Sequence, residues 1–373
     1  MNFEKLNLNQ YTMLGILFMI GGTIVANVGS YTGTDVWILY LIAMVTGILV
    51  FMIYYRLLYL HGFRSFPLIF ERCVGYWGGK FLCAAYAAFF LFRTSLIGDT
   101  LTEIASDILM KNAPIRLIMG ILITGVVYGC HKGLRALGRS AEIMMPIILL
   151  CLIPFLVTAA TSGAFTLKNL QPVLVGSASE FWSKTAAVAM YPYMETLLFS
   201  IFMVKINHQE QKGIFKHVIA ILIIGTVILT GISLTNLAVL GRHLVTTLQY
   251  PFYNAMMLAG IHGVLERLDP LAVIIIIVCG FYKTSLYFYA YSEMFKSLFV
   301  KLPRNWILVI TSIIIFIKGP NTELSYTKFL VQVLPFKILP WFHLVIPISL
   351  WLISEVKVYL HRKRKIEDVS VQL

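Results

Sequence analysis

The sequence predicts an all-α polytopic membrane protein, and three observations support this fold class. Of its 373 residues, 59% are hydrophobic and only 13% are charged, whereas ordinary soluble domains carry about 25% charged residues. Apolar stretches long enough to cross a bilayer recur along the whole chain, at about 20 residues each. The basic residues collect between alternate stretches. We therefore expect ten transmembrane helices in a single membrane domain, 1–373.

The ten predicted spans are separated mostly by short loops. Their approximate bounds are 10–28, 35–58, 80–107, 114–130, 141–160, 183–204, 214–240, 269–298, 305–320 and 338–358. If the N-terminus is inside, 19 of the 30 lysine and arginine residues lie on the cytoplasmic side and 9 on the outer side. Because positive charge collects on the cytoplasmic side, we expect both termini in the cytoplasm. The same rule accounts for the net charge of +13 without nucleic acid.

The two halves of the chain, 1–160 and 183–360, share a weak pattern. The first span of each half is interrupted near its middle, by Gly21-Gly22 in one and by Tyr191-Pro192 in the other. Five spans per half is an odd number, so the halves would have opposite orientations. This predicts two inverted five-helix repeats with helices 1 and 6 broken, an arrangement typical of transporters whose site lies between the broken helices. The alternative is that glycine and proline are simply common in transmembrane helices.

The sixth span, Trp182 to Val204, holds an ionisable side chain near its middle. Lys184 and Lys205 bracket the span, and Glu195 lies about halfway between them. A proline at position 192 should interrupt the helix just before the glutamate. A carboxylate at mid-depth beside a broken helix indicates a functional site. The alternative is a proline kink whose glutamate is paired internally for structure.

Further polar residues are expected at the same depth. Arg93 lies centrally in the third span and Lys283 centrally in the eighth, and each is either a ligand-site residue or a structural partner in an ion pair. Two cations and one carboxylate, Glu195, leave one net positive charge, which favours an amino acid over a neutral sugar as the ligand. The alternative is that Asp99 neutralises this charge. The predicted ligand-binding residues are Gly21, Gly22, Thr23, Asn27, Arg93, Asp99, Tyr191, Tyr193, Glu195, Lys283 and Tyr287.

Three segments outside the spans have a distinct composition. Residues Ser65 to Lys80 mix aromatic, apolar and charged residues, which predicts an amphipathic helix at the membrane interface. The outer connection 241–268 is either a lid over an outer vestibule or a plain surface loop. The polar tail 361–373 is predicted to be disordered and cytoplasmic, with a basic cluster that suits an anionic inner leaflet.

The sequence shows no pattern for catalysis, a cofactor or a metal. Its five cysteines lack CxxC or other ligand spacing, and its eight histidines form no H-x-x-x-H pair. The stretch Gly75–Gly79 is glycine-rich but lacks the Lys-Ser ending and the preceding strand of a nucleotide-binding loop. We therefore expect no enzyme, no cofactor, no metal and no nucleic-acid partner.

Several stretches match the pattern of one known family. They are Asp35-Val36-Trp37, Ser65-Phe66-Pro67-Leu68, Gly75–Lys80, Gly133–Glu142, Asn169–Leu174 and the sixth span with Glu195. In these stretches the chain resembles the B-subunit family of bacterial spore-germination receptors, ten-span members of the amino acid–polyamine–organocation superfamily. In one respect it departs from that family, whose members often carry proline soon after the glycines of span 1. Here Asn27 and Val28 occupy this region, so the expected break depends on the two glycines alone.

The resemblance implies a leucine-transporter-like fold in the spore inner membrane. It also implies a small germinant as ligand and companion A- and C-type receptor subunits, and it does not imply an enzyme. The predicted function is that of a receptor subunit which binds a germinant near the bilayer midplane and triggers germination. The alternative is a proton- or sodium-coupled amino-acid permease, because both functions use the same fold.

Overall fold

The structure, a computed structural model, describes residues 5–26, 32–161, 163–207, 209–260, 267–320 and 334–371. These residues are mainly helical, and an isolated parallel β-bridge joins Leu6 to Ile206. The helices are α1 (Leu8–Ala26), α2 (Val36–Leu60), α3 (Phe66–Ile104), α4 (Ile115–Lys132), α5 (Leu134–Thr161), α6 (Ala178–Met190), α7 (Thr196–Met203), α8 (Ile214–Thr247), α9 (Pro251–Leu258), α10 (Asp269–Leu298), α11 (Arg304–Lys318) and α12 (Ile346–Val371). Short 3-10 and π-helical turns and the single turn Leu334–Lys337 complete the described secondary structure.

Eight helical segments among the described residues are long and apolar enough to cross a membrane. They are Gly33–Leu60, Phe66–Leu109, Ile115–Lys132, Leu134–Thr161, Ala178–Met203, Gln211–Thr247, Asp269–Leu298 and Trp341–Leu360. Each coincides with a predicted span, so the chain is a multi-pass membrane protein. The other two predicted spans fall on shorter helices, the apolar part of α1 (Leu8–Ile24) and the 15-residue α11. The total of ten spans and the inverted repeat stay predictions.

The break in the sixth span is confirmed. Helix α6 ends at Met190, the Tyr191-Pro192 peptide bond is cis, and a 3-10 turn, Tyr193–Glu195, leads into α7. Proline cannot donate a backbone hydrogen bond and its ring clashes with the preceding turn, which ends α6 here. Every residue of α7 is buried, as expected for a helix that is apolar on all sides.

The predicted break in the first span is wrong. Helix α1 is continuous through Gly21 and Gly22 and ends at Ala26. A Cβ atom at Gly21 would collide with the backbone carbonyl of Cys279 in α10. The glycine therefore serves close packing of α1 on α10 while the helical hydrogen bonds stay intact, and this span has no proline to disrupt them. Asn27 lies outside the described residues.

The segments between the spans are more helical than the sequence predicted. Ser65 to Lys80 is helical from Phe66, as expected, and kinks at Gly75, where φ is +80°; glycine adopts that conformation without strain. The connection 241–268, apart from 261–266, which lie outside the described residues, forms the end of α8 beyond a kink at Gly241 and then α9. Helix α9 packs against α8 and α10. The role of this connection as a lid and the interfacial position of the first segment stay predictions.

Helix α12 continues to Val371, into the tail 361–373, whose disorder and cytoplasmic position stay predictions. No glycine or proline follows Pro347. The lysine, arginine, leucine and glutamate residues of this region all have high helix propensity. This composition is compatible with the helical backbone found up to Val371.

Helix α10 lies at the centre of the described structure. It packs most extensively against α3 and α1. The broken segment α6–α7 packs against α2, and α7 also contacts α10. This arrangement brings the middle of α1, α3 and α10 to the break in the sixth span.

Candidate functional site

Four fully buried side chains from three elements meet at the break in the sixth span. We call Arg93, Glu195, Lys283 and Tyr287 the central cluster; each has 0% exposure. Glu195 Oε1 accepts hydrogen bonds from Arg93 Nη2 and from the Tyr287 hydroxyl, the latter at 2.6 Å. Its other oxygen, Oε2, accepts from Lys283 Nζ at 2.6 Å. The carboxylate is thereby tied to α3 and α10 at once.

Local structure explains why these side chains converge. Glu195 ends the 3-10 turn, and its backbone N–H donates to the Pro192 carbonyl at 3.1 Å. Lys283 and Tyr287 are four residues apart on α10 and so lie on one face of that helix. Arg93 lies in the buried part of α3. The proline break thus places the Glu195 carboxylate between two regular helices, α3 and α10, whose side chains donate hydrogen bonds to it.

Aromatic rings surround the two cations. The Arg93 guanidinium carbon lies 5.1 Å from the ring centroids of both Tyr191 and Tyr287. Lys283 Nζ lies 4.1 Å from the centroid of Tyr191 and 4.5 Å from that of Phe18. Such cation–π contacts are worth up to about 2 kcal/mol when water is excluded. The rings therefore replace part of the hydration that these charges lose on burial.

Gly22 allows α1 to approach the central cluster. A Cβ atom at this position would collide with the Tyr191 hydroxyl and would lie 2.9 Å from Lys283 Cδ. The neighbouring Thr23 is also buried, but its hydroxyl donates to the carbonyl of Met19 within α1, at 2.7 Å. Of the predicted residues in this helix, Gly22 is therefore the one that the structure brings to the cluster.

Two other predicted site residues make different contacts. Asp99 Oδ2 pairs with Lys318 Nζ of α11 at 2.8 Å. It is six residues from Arg93 on α3, about 9 Å along the helix axis. The hydroxyls of Tyr193 and Thr226 lie 3.0 Å apart, and the Tyr193 ring packs near Tyr40 of α2. Both residues are buried and have partners outside the central cluster.

The central cluster has an unequal number of charges. Among the described residues, Arg93 and Lys283 both pair with Glu195, which gives the cluster a formal charge of +1. A buried site with excess positive charge is suited to an anion, since guanidinium and ammonium groups bind carboxylates strongly. The described residues contain no group of three or more histidine, cysteine or acidic side chains arranged to hold a metal ion.

Sequence reasoning missed His343, whose side chain is 1% exposed. It lies in a π-helical turn, Trp341–Val345, at the beginning of the last spanning segment. That turn packs against the 3-10 turn that contains Glu195. The available signal was a polar residue within an apolar span.

Comparison with known proteins agrees with this architecture. A family model described as "Spore germination protein" matches residues 5–323. Spore germination protein KB of Bacillus subtilis (strain 168) is 25% identical over 379 residues, which cover 99% of this chain and 100% of that protein.

Solved transporter structures share the fold. MhsT in complex with L-phenylalanine has a TM-score of 0.65 and 12% identity, covering 94% of this chain and 88% of that one. A mutant manganese transporter of Eremococcus coleocola has a TM-score of 0.51 and 11% identity, covering 94% and 85%. These likenesses indicate the leucine-transporter fold, which belongs to transporters rather than to an enzyme class. Since the family model covers most of the chain, the chain belongs to the spore germination protein family and is a homologue of the germinant-receptor B subunits.

Proposed function

We propose that this chain is the membrane subunit of a nutrient-germinant receptor. It binds a small germinant, an amino acid rather than a sugar, at the central cluster near the midplane of the spore inner membrane. It acts with companion A- and C-type subunits, and both of its termini are cytoplasmic. The observation that carries the proposal is the complete burial of one carboxylate and two cations beside a broken helix.

The charge of the cluster supports an anionic group on the ligand. Removing a charge from water costs several kcal/mol unless it is compensated, and here two cations share Glu195. Asp99, which by sequence could have balanced the second cation, is engaged with Lys318. A ligand carboxylate would supply the compensating charge. A neutral sugar would not.

The connections of Glu195 suggest how binding is transmitted. The carboxylate joins the short break before α7 to α3 through Arg93 and to α10 through Lys283. A ligand carboxylate that pairs with either cation competes with Glu195 and weakens one of these connections. The ligand then favours the conformation in which the break has moved, to the extent that it binds that conformation more tightly. The companion subunits would respond to this movement.

The test uses spores in which this chain and its companion subunits form the only germinant receptor. Germination is followed by loss of optical density against a panel of L-amino acids and D-glucose. We expect Glu195→Gln and Lys283→Met each to abolish the response while the chain is still detected by immunoblot. Glu355→Gln is a matched control, because Glu355 pairs with Arg56 at an exposed position, with side chains 32% and 47% exposed. A normal dose–response in Glu195→Gln or Lys283→Met would refute the role assigned to that residue.

The second candidate is an amino-acid permease, and the similarity to MhsT in complex with L-phenylalanine favours it. Both candidates place an amino acid at the same cluster, but only the permease moves it across the membrane. Uptake of radiolabelled amino acids into vesicles that contain this chain alone separates them. Concentrative uptake supports the permease, and binding without uptake supports the receptor subunit.

A further inference from the structure

His343 is a buried polar residue that the interactions described so far leave unexplained. Its imidazole is 1% exposed, and neither ring nitrogen has a hydrogen-bond partner among the described residues. An unsatisfied buried polar group costs about 1–3 kcal/mol, and nearly all buried polar groups in native proteins are satisfied. An imidazole kept in such a place therefore indicates a binding role.

Two helices hold His343 beside the central cluster. Its ring contacts Phe89 edge-to-face, with centroids 5.5 Å apart and planes at 78°. Phe89 is one turn before Arg93 on α3, so both lie on the same face of that helix. On the other side, the Tyr54 hydroxyl of α2 donates to the His343 backbone carbonyl. The π-helical turn that carries His343 also packs against the 3-10 turn that carries Glu195.

The electrostatic surroundings of the imidazole come from the central cluster. The turn that its own turn packs against carries Glu195, which is paired with Arg93 from α3 and Lys283 from α10. On the side of α2, the Tyr54 hydroxyl donates its hydrogen bond to the His343 backbone carbonyl. A neutral imidazole presents one hydrogen-bond acceptor and one donor. It therefore adds a hydrogen-bond acceptor on the turn that packs against the turn of Glu195.

We propose that His343 is a further ligand-binding residue whose imidazole accepts a hydrogen bond from the α-ammonium group of an amino acid. An ammonium group has three donors, and Glu195 and His343 are two acceptors on adjoining turns. The carboxylate of the same molecule is held by Arg93 or Lys283. This inference rests on the proposed function and narrows the ligand to zwitterionic α-amino acids.

A structural role and a ligand-binding role for His343 predict different effects of one substitution. His343→Phe keeps an aromatic ring against Phe89 and removes two polar atoms that have no partner among the described residues. If the residue only fills space, phenylalanine should serve equally well. If it binds ligand, phenylalanine should impair binding while the folded protein becomes no less stable, since binding groups are often kept at the expense of stability.

The experiment measures both properties on the full chain. In spores with this receptor only, His343→Phe should raise the half-maximal concentration of an active L-amino acid at least about tenfold, the factor for about 1.4 kcal/mol of binding free energy. His343→Asn or His343→Gln, which retain an acceptor, should recover part of this loss. The thermal midpoint of the purified variant without ligand should equal or exceed that of the wild type. The control is the same substitution at a histidine outside the central cluster, His217→Phe. His217 belongs to α8, and its Nδ1 lies 2.8 Å from Thr12 Oγ1.

Three results would overturn the inference. These are a wild-type dose–response in His343→Phe, a lowered thermal midpoint that accounts for the lost response, and wild-type spores that respond to D-glucose or propionate but to no amino acid. The controls at the cluster distinguish the two proposals. If Lys283→Met abolishes the response and His343→Phe does not, only the role of His343 fails; if both respond normally, the proposed function fails as well.

Discussion

Replacing Glu195 with glutamine should destabilise the protein more than removing a cation from the central cluster. The cluster holds two cations and one carboxylate. Glu195→Gln removes the carboxylate that both buried cations, Arg93 and Lys283, contact. Lys283→Met instead leaves a neutral pair, in which Arg93 still contacts Glu195. The two substitutions therefore change the balance of charge in opposite directions.

The magnitudes follow from the burial of these groups. Removing one partner of a buried ion pair costs about 3–5 kcal/mol, because the remaining charge is stranded. We expect this loss for Glu195→Gln. Lys283→Met loses one charge-assisted hydrogen bond, and methionine still packs against Phe18 and Tyr191, so we expect a loss of about 1–2 kcal/mol. Lys283→Met introduced into Glu195→Gln removes one of the two cations that lose this carboxylate and should recover about 1–3 kcal/mol.

Thermal unfolding of the purified protein in detergent measures these differences. At about 2 °C per kcal/mol for a large domain, Glu195→Gln should lower the midpoint by about 6–10 °C and Lys283→Met by about 2–4 °C. The double variant should unfold above Glu195→Gln alone. The control Glu355→Gln removes an exposed pair and should cost less than about 1 kcal/mol.

Two results would refute this account of the charges. One is a wild-type midpoint for Glu195→Gln. The other is a double variant whose loss equals the sum of the single losses, because independent sites add and coupled charges do not. Either result would mean that Glu195 does not compensate the two cations in the folded protein.

Three further predictions concern Gly22, Asp99 and His61. Gly22→Ala places a methyl group against Lys283 Cδ, so we expect the free energy of unfolding to fall by about 1–3 kcal/mol and the germinant response to weaken. Thermal unfolding and spore germination measure the two effects. The control is Gly231→Ala, where a Cβ meets nothing within 4 Å, and it should change neither. Asp99→Asn breaks an ion pair whose lysine is 47% exposed, so the thermal midpoint should fall by no more than the equivalent of about 1 kcal/mol. Loss of the amino-acid response in this variant would contradict the separation of the Asp99–Lys318 pair from the central cluster. Burial and two nearby basic side chains lower the pKa of His61, so its protonation disfavours the folded state and stability should fall as the pH drops below about 6.5. His61→Gln should reduce this fall in thermal midpoints measured from pH 8 to about 5. A pH profile identical to that of the wild type would contradict the prediction.

The sequence was sufficient for features with a strong local cause. Pro192 cannot continue a helix, so the break in the sixth span was predictable to within a few residues. Charged residues in the middle of apolar spans are rare enough that Arg93, Glu195 and Lys283 could be singled out together. Their depth along the chain could be counted, and membership of an ion pair was one of the two roles that the sequence allowed for Lys283.

Features that depend on lateral packing were not predictable. Glycine permits either a break or a close helix contact, and the sequence cannot distinguish them without the neighbour. Only the position of α10 shows that Gly21 serves the contact with Cys279. Likewise, Asp99 and Lys318 are more than two hundred residues apart in sequence, and depth alone could not decide whether Asp99 faces that lysine or the central cluster.

The neighbours of the central cluster bear on whether it is more than a structural ion pair. A buried charge network that serves only stability should satisfy the polar groups around it, because each unsatisfied group adds to the cost of folding. Here the Thr196 hydroxyl, directly after Glu195, is buried without a hydrogen-bond partner among the described residues, and so is the imidazole of His343 on the adjoining turn. Natural proteins break such rules mainly at functional sites. Unsatisfied polar groups beside an excess positive charge are therefore better explained by a polar, anionic ligand than by structural pairing alone.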